Sequence, residues 1–331
     1  MKIGKIYLNY PKSMRYKLKD YKNITENLVF ISGVTRSGKS ILCPIISSFK
    51  NTENFTLNSI AEISIAMLSS NLISNDTAVY LIKSSYNEIF YNLSIGRNLN
   101  SKKFDYSSIT KHHLIKEYKN RISKNEKKIN FKKILKKNLF PTMFHDLSYG
   151  LDILLKIFPK SKILNIDRHP VDLLASWKKK GYGKKYYYNN RNLILTFNSN
   201  GRLFPHYVKK KFKNYLKFKN DEERIINSLW EIQKVQKKKL KIIKQKDKKR
   251  YFSLTFDDLT LNTNNCLNLI CKFLNKKKTK NTKSELKKQN CPRKIDLTKR
   301  RQKYVEILKK ISKKNKEKFI YLVSDYESKL L

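Results

Sequence analysis

Residues 28–48 read Leu28-Val29-Phe30-Ile31-Ser32, then Gly33-Val34-Thr35-Arg36-Ser37-Gly38-Lys39-Ser40, then Ile41-Leu42-Cys43-Pro44-Ile45-Ile46-Ser47-Ser48. The first five residues are apolar and partly β-branched, which suits a short strand buried on both faces. The second block is Gly-rich, and the third resumes an apolar pattern long enough for a helix. Strand, loop and helix in that order gather backbone N–H groups and a helix N-terminus around one point, where a phosphate or sulfate is favoured. Gly33 and Gly38 are read as positions where a side chain would keep the backbone away from such an anion.

The loop satisfies G-x-x-x-x-G-K-[ST], the pattern of the triphosphate P-loop. It also resembles the phosphosulfate-binding loop of sulfotransferases, in which an Arg or Lys precedes Ser-Gly-Thr-Thr. Arg36, Ser37 and Gly38 fit that pattern, while Lys39 stands where Thr is usual. One stretch therefore supports two chemistries, with a plain Gly turn between a core strand and a core helix as the bland alternative.

The 331 residues can bury a sizeable core, and 40% hydrophobic with 12% aromatic residues exclude a disordered polymer. We expect a single domain over 1–331, with helical or loop insertions at 84–138 and 180–250. No apolar run reaches bilayer length and the N-terminus lacks a signal-peptide core, so the expected location is cytoplasmic. Cys43, Cys266, Cys271 and Cys291 form no C-x-x-C pair, which fits a reducing compartment. The net charge is +48, yet Lys outnumbers Arg 62 to 12. Readers of nucleic acid favour Arg for bidentate contacts, so no specific nucleic-acid partner is expected. The charge still attracts anionic nucleotides and acidic glycans.

Along the chain, Ser59–Leu72 has helical periodicity, and 75–82 starts another helix capped by Asp76 or Thr77, with a strand as the alternative. Residues 96–105 are a polar loop, and 111–137 a basic segment. Leu139–Asp146 reads as a strand with a polar end, Leu151–Phe158 as a short helix, and Lys162–Asp167 as a second buried strand. A helix runs from Val171 through Trp177, an aromatic candidate lid covers 186–205, and a long basic helix spans 221–249. Tyr251–Phe256 is a strand followed by a helix to Phe273, and a last helix occupies Tyr304–Leu322. Short buried strands alternating with helices imply an α/β fold, a parallel sheet with helices on both faces.

The stretch Asp167-Arg168-His169-Pro170-Val171-Asp172-Leu173-Leu174-Ala175-Ser176-Trp177 separates the two chemistries. It resembles the 3′-phosphate-binding element of sulfotransferases, where a strand ends in Arg-x-Pro and a Ser follows at this spacing. An Arg at the carboxyl end of a parallel strand points into the ligand crevice and can fork onto a phosphate. Adenosine triphosphate has no 3′-phosphate to reward the pair. The competing reading makes Ile163–Asp167 a Mg²⁺-binding strand of an ATP-dependent kinase or NTPase. Residues 252–274, with Thr255-Phe256-Asp257-Asp258-Leu259, are similar to a further strand and helix of the same family.

The resemblance implies a three-layer sulfotransferase fold and a sulfuryl donor, 3′-phosphoadenosine 5′-phosphosulfate (PAPS), with no metal required. Gly33, Thr35, Arg36, Ser37, Gly38, Lys39 and Ser40 would hold the 5′-phosphosulfate, and Arg168 and Ser176 the 3′-phosphate. Arg36 would stabilise the leaving group, while Lys39, which departs from the family pattern, adds a second cation, either for the sulfuryl oxygens or as a mark of triphosphate use. The acceptor would be a hydroxyl or amine, with a saccharide as one option. His145, Asp146 and Glu62 are the candidates for the base, His145 because it ends the strand before the Arg168 strand.

Overall fold

Leu28–Ser32 (β1) is buried at all five positions and forms the centre of a parallel sheet. The computed structural model describes residues 18, 20–184, 194–218 and 220–330. β1 lies between Phe140–Met143 (β3) and Lys162–Asp167 (β4), with Thr56–Leu57 (β2) and Tyr251–Thr255 (β7) at the edges. The order is β2-β3-β1-β4-β7, and every pairing is parallel.

Alternation along β1 explains why it sits in the middle. Leu28 and Phe30 enter one apolar cluster, while Val29 and Ile31 enter the other. The first cluster is built with Asn75–Ile95 (α3) and Leu151–Ile157 (α6), and its rings converge on Phe30. Tyr86, Phe144 and Phe158 lie 5.8, 5.8 and 5.7 Å from it. The second cluster uses Lys39–Ser47 (α1) and the helices after β7, Phe256–Leu261 (α10) and Thr263–Leu274 (α11). Helices therefore cover both faces, as the alternating pattern predicts.

Within 84–138, Ile115–Ser123 (α4) and Phe131–Lys137 (α5) follow α3 and bury Tyr118 and Leu135 in the first cluster. A third apolar cluster joins Pro170–Lys179 (α7), Phe212–Lys217 (α8), Asp221–Lys246 (α9), Leu297–Lys310 (α13) and Lys313–Glu327 (α14). Ser59–Ser69 (α2) follows β2, and Lys280–Lys288 (α12) lies between α11 and α13.

Some expectations shift. Residues 75–82 are helical, not a strand, and the cap is Ser74, whose hydroxyl accepts from Thr77 N–H. The last expected helix is two, because the chain turns extended at Ile311 and restarts at Ser312. Of the candidate lid, 186–193 lie outside the described residues, while Thr196–Ser199 (β5) and Arg202–Pro205 (β6) form an antiparallel hairpin. All four cysteines are free thiols. No described helix is long and apolar enough to cross a membrane.

Candidate active site

The loop 33–38 leaves the carboxyl end of β1 beside that of β4 and turns into α1. Both glycines are needed, for a reason other than the one read from sequence. Gly33 has φ 137°, and a Cβ there would lie 2.2 Å from the Ile166 carbonyl oxygen of β4. Gly38 has φ 113°, and its Cβ would lie 2.4 Å from the Phe256 ring. It is the neighbouring strand and ring that forbid side chains at these positions. Arg36 takes a left-handed φ of 72° without being glycine, so the loop is held against strain.

Three contacts hold it. Trp177 Nε1 donates to the Thr35 carbonyl at 2.7 Å, and an Arg168 guanidinium nitrogen to the Arg36 carbonyl at 3.0 Å. Arg36 Nε donates to Ser176 Oγ at 3.0 Å. The two stretches singled out in the sequence thus meet directly, with Arg36, Arg168 and Ser176 in one hydrogen-bonded chain. Ser176 reaches this point from two turns into α7. That helix is started by His169, whose Nδ1 accepts from Val171 N–H at 3.3 Å, with Pro170 in the first turn.

Positive charge accumulates here, and no carboxylate among the described residues forms an ion pair with Arg36, Arg168 or Arg293. Arg168 lies 5.0 Å from the Phe256 ring centroid and Arg293 lies 5.1 Å from it. Burial lowers the pKa of Arg168, Asp172 opposes that, and Arg36 and Arg293 add to it by repulsion. Asp172 is itself committed to Arg300 at 2.7 Å. Three buried donors are left without partners among the described residues: Ser37 Oγ, Arg168 Nε and one terminal nitrogen of Arg293. Crowded cations and unpaired buried donors are the makings of a polyanion site. Arg293 was missed in the sequence because it lies in a lysine-rich stretch that reads as solvated surface. Its being arginine, in a chain whose cations are mostly lysine, was the available signal.

Lys39 is turned away from open space. Its ammonium donates to the carbonyls of Gly33, Val34 (2.7 Å) and His145 (3.1 Å), which occupy all three of its protons. Burial lowers its pKa to about 8, against the raising effect of Asp146 and Glu62. Ser40 is exposed at the start of α1, and Thr35 Oγ1 donates to the His145 carbonyl at 3.3 Å.

His145 follows β3 and faces Glu62 in the first turns of α2. Asn58 caps α2 by accepting from Ala61 N–H at 3.0 Å, which fixes where Glu62 stands. The Glu62 carboxylate accepts from His145 N–H at 3.1 Å and lies 3.1 Å from Nδ1 through both oxygens. A carboxylate only accepts, so Nδ1 carries a proton, and in the neutral ring Nε2 is the nitrogen with the lone pair. The candidates His145 and Glu62 form one dyad. Asp146 is not part of the dyad: its Oδ1 accepts from Ser148 N–H at 3.0 Å. His145, Glu62, Asp146 and His206 share the lining of a cavity of about 30 Å³ with Thr35 and Trp177. Among the described residues, no three His, Cys, Asp or Glu side chains cluster as a metal site.

No family model and no curated protein matches the chain. Among solved structures it is similar to the sulfotransferase domain of the Synechococcus PCC 7002 olefin synthase, at 13% identity and TM-score 0.42, over 79% of this chain and 77% of that one. It is similar to the sulfotransferase domain of the curacin biosynthetic pathway, at 13% identity and TM-score 0.38, over 77% and 75%. It is also similar to the sulfotransferase STF1 of Mycobacterium tuberculosis, at 9% identity and TM-score 0.42, over 89% and 76%. These proteins are of the class that the two sequence stretches resemble.

Proposed function

We propose that this chain is a sulfotransferase that moves a sulfuryl group from PAPS to an acceptor hydroxyl or amine. The observation that carries the reading is one constellation. Buried donors on Ser37, Arg168 and Arg293 have no partner among the described residues, and the His145–Glu62 dyad is tied to the same loop through the His145 carbonyl. The donor site needs cations for two separated anionic groups, and the guanidiniums beside Phe256 together with the loop N–H groups match that need. When bound, PAPS would supply the sulfuryl group and leave as the bisphosphate.

His145 Nε2 accepts the proton of the acceptor hydroxyl, and Glu62 holds Nδ1–H and stabilises the imidazolium that results. Arg36 and the loop amides favour charge growing on the leaving phosphate. Lys39 acts through the backbone, holding the loop and the His145 carbonyl together.

The triphosphate reading is favoured less by these residues. Asp167, which would approach Mg²⁺, accepts from Asn165 at 2.9 Å and pairs with Lys329 at 3.1 Å. Lys39 is engaged with carbonyls instead of facing a β-phosphate. Calorimetry with adenosine 3′,5′-bisphosphate against ATP-Mg²⁺ tests the choice. The bisphosphate is expected to bind more tightly; preferential binding of ATP-Mg²⁺ overturns the proposal.

A further inference from the structure

The cavity beside His145 holds two polar groups that proton transfer leaves unused. Asp146 engages Oδ1 with Ser148 N–H, but its Oδ2 is buried with no partner among the described residues. His206 reaches the same cavity just after β6, its ring set edge-on against Tyr149 at 5.1 Å, and its Nδ1 is likewise buried and unpartnered among the described residues. Burial lowers the pKa of His206, with Asp146 opposing, so the imidazole is neutral and offers one nitrogen to a ligand. An unpaired buried carboxylate oxygen and an unpaired buried ring nitrogen are both costly, and a group that donates to one while bonding the other removes both costs. Most of the remaining wall is hydrocarbon and aromatic: Ile65, Ala66, Tyr149, Trp177, Leu195 and Ile232.

We propose that Asp146 and His206 select the acceptor, holding a second hydroxyl or amino group next to the reacting one on a compact, mostly apolar body. This assignment rests on the sulfuryl-transfer reading and narrows it. A saccharide, with hydroxyls around its whole ring, would set most of them against hydrocarbon. A diol or amino alcohol on an alicyclic or short alkyl frame presents one polar edge, which is what the wall offers. The cavity of about 30 Å³ has room for little more than a water. The reacting edge therefore enters first, and the apolar side chains part around the body behind it.

The test compares cyclohexanol with trans-cyclohexane-1,2-diol as acceptors for the full chain with PAPS, in wild type, Asp146→Ala and His206→Phe. Binding of adenosine 3′,5′-bisphosphate serves as the check that each variant is folded. In wild type the diol is expected to exceed the monoalcohol in kcat/KM by about 10-fold or more. The ratio is expected to fall toward one in each folded variant. Saturation-transfer NMR of both alcohols on the bisphosphate-bound wild type gives a readout that needs neither turnover nor a variant. Equal kcat/KM or equal NMR binding of the two alcohols in wild type overturns the assignment, as does a ratio unchanged in both folded variants. Failure of the wild type to bind the bisphosphate overturns instead the sulfuryl-transfer reading on which the assignment stands.

Discussion

Among the described residues, Arg168 uses one terminal nitrogen on the Arg36 carbonyl and keeps Nε buried without a partner, whereas His145 has Nδ1 held by Glu62 and no bond at Nε2. The first arrangement is suited to gripping an anion and the second to moving a proton, so the two residues should fail differently. Arg168→Ala is expected to weaken adenosine 3′,5′-bisphosphate by about 2–4 kcal/mol, the scale for losing a buried charge-assisted contact. Adenosine 5′-monophosphate should lose much less. His145→Ala is expected to lower turnover by roughly 10²–10⁴-fold while leaving bisphosphate affinity near wild type. The carbonyl that Lys39 and Thr35 hold belongs to the backbone and survives that substitution. Calorimetry paired with steady-state kinetics separates the two effects, and a matched loss of affinity in both variants would contradict the division of roles.

At the scale of elements, much of the sheet was legible because its strands are short blocks of apolar residues between polar punctuation. β1 and β4 have the bounds read from sequence, and β7 differs by one residue. The Arg168 and Ser176 pair was legible for the same reason, since a strand end followed by Pro170 fixes where a helix begins. What escaped depends on partners far along the chain. The break between α13 and α14 is held by the start of α9: Asn220 donates to the Lys310 carbonyl at 2.9 Å, and Ser312 N–H to Glu223 at 2.9 Å. No local periodicity carries that information. Glu62 and His145 are 83 residues apart, and only the pairing of β2 with β3 and the register of β3 on β1 bring them together. The sequence could name each as a possible base, but not that they are one.

For the whole molecule, acid is the condition that should expose how the helices of 84–138 are attached. His112 is buried, its Nε2–H donating to the Ser47 carbonyl at 3.0 Å and its Nδ1 accepting from Leu114 N–H. Desolvation by burial lowers its pKa to about 3 from the ordinary 6.5. Between those values the unfolded chain binds a proton that the folded chain refuses, so stability falls with falling pH by about 1.4 kcal/mol per unit. Glu53 adds a second loss at lower pH. Burial alone would raise its pKa, but hydrogen bonds and charge from Arg121, with bonds from Tyr118 and Asn138, outweigh that and hold it below 4.5. Its contribution is present above the ordinary value and disappears as the folded carboxylate is protonated. Urea midpoints are therefore expected to drop between pH 6.5 and 5, with a flatter profile in His112→Gln. An unchanged slope in that variant would mean that other groups set the acid sensitivity.

The three-carbonyl grip of Lys39 has a further consequence, in the order and mutual influence of ligands. One ammonium holds both the loop proposed to bind the nucleotide and the residue proposed to take the proton, so movement of either half is expected to be felt by the other. A nucleotide that leaves the ammonium in place meets a base already set, while one whose terminal oxygens capture it frees the backbone beside that base. Occupancy of the two halves is then thermodynamically linked, and reciprocity requires each ligand to shift the other's dissociation constant by the same factor. Titration of adenosine 3′,5′-bisphosphate with and without saturating acceptor measures that factor directly. A value of one would mean that the halves, though joined by a single side chain, respond as strangers.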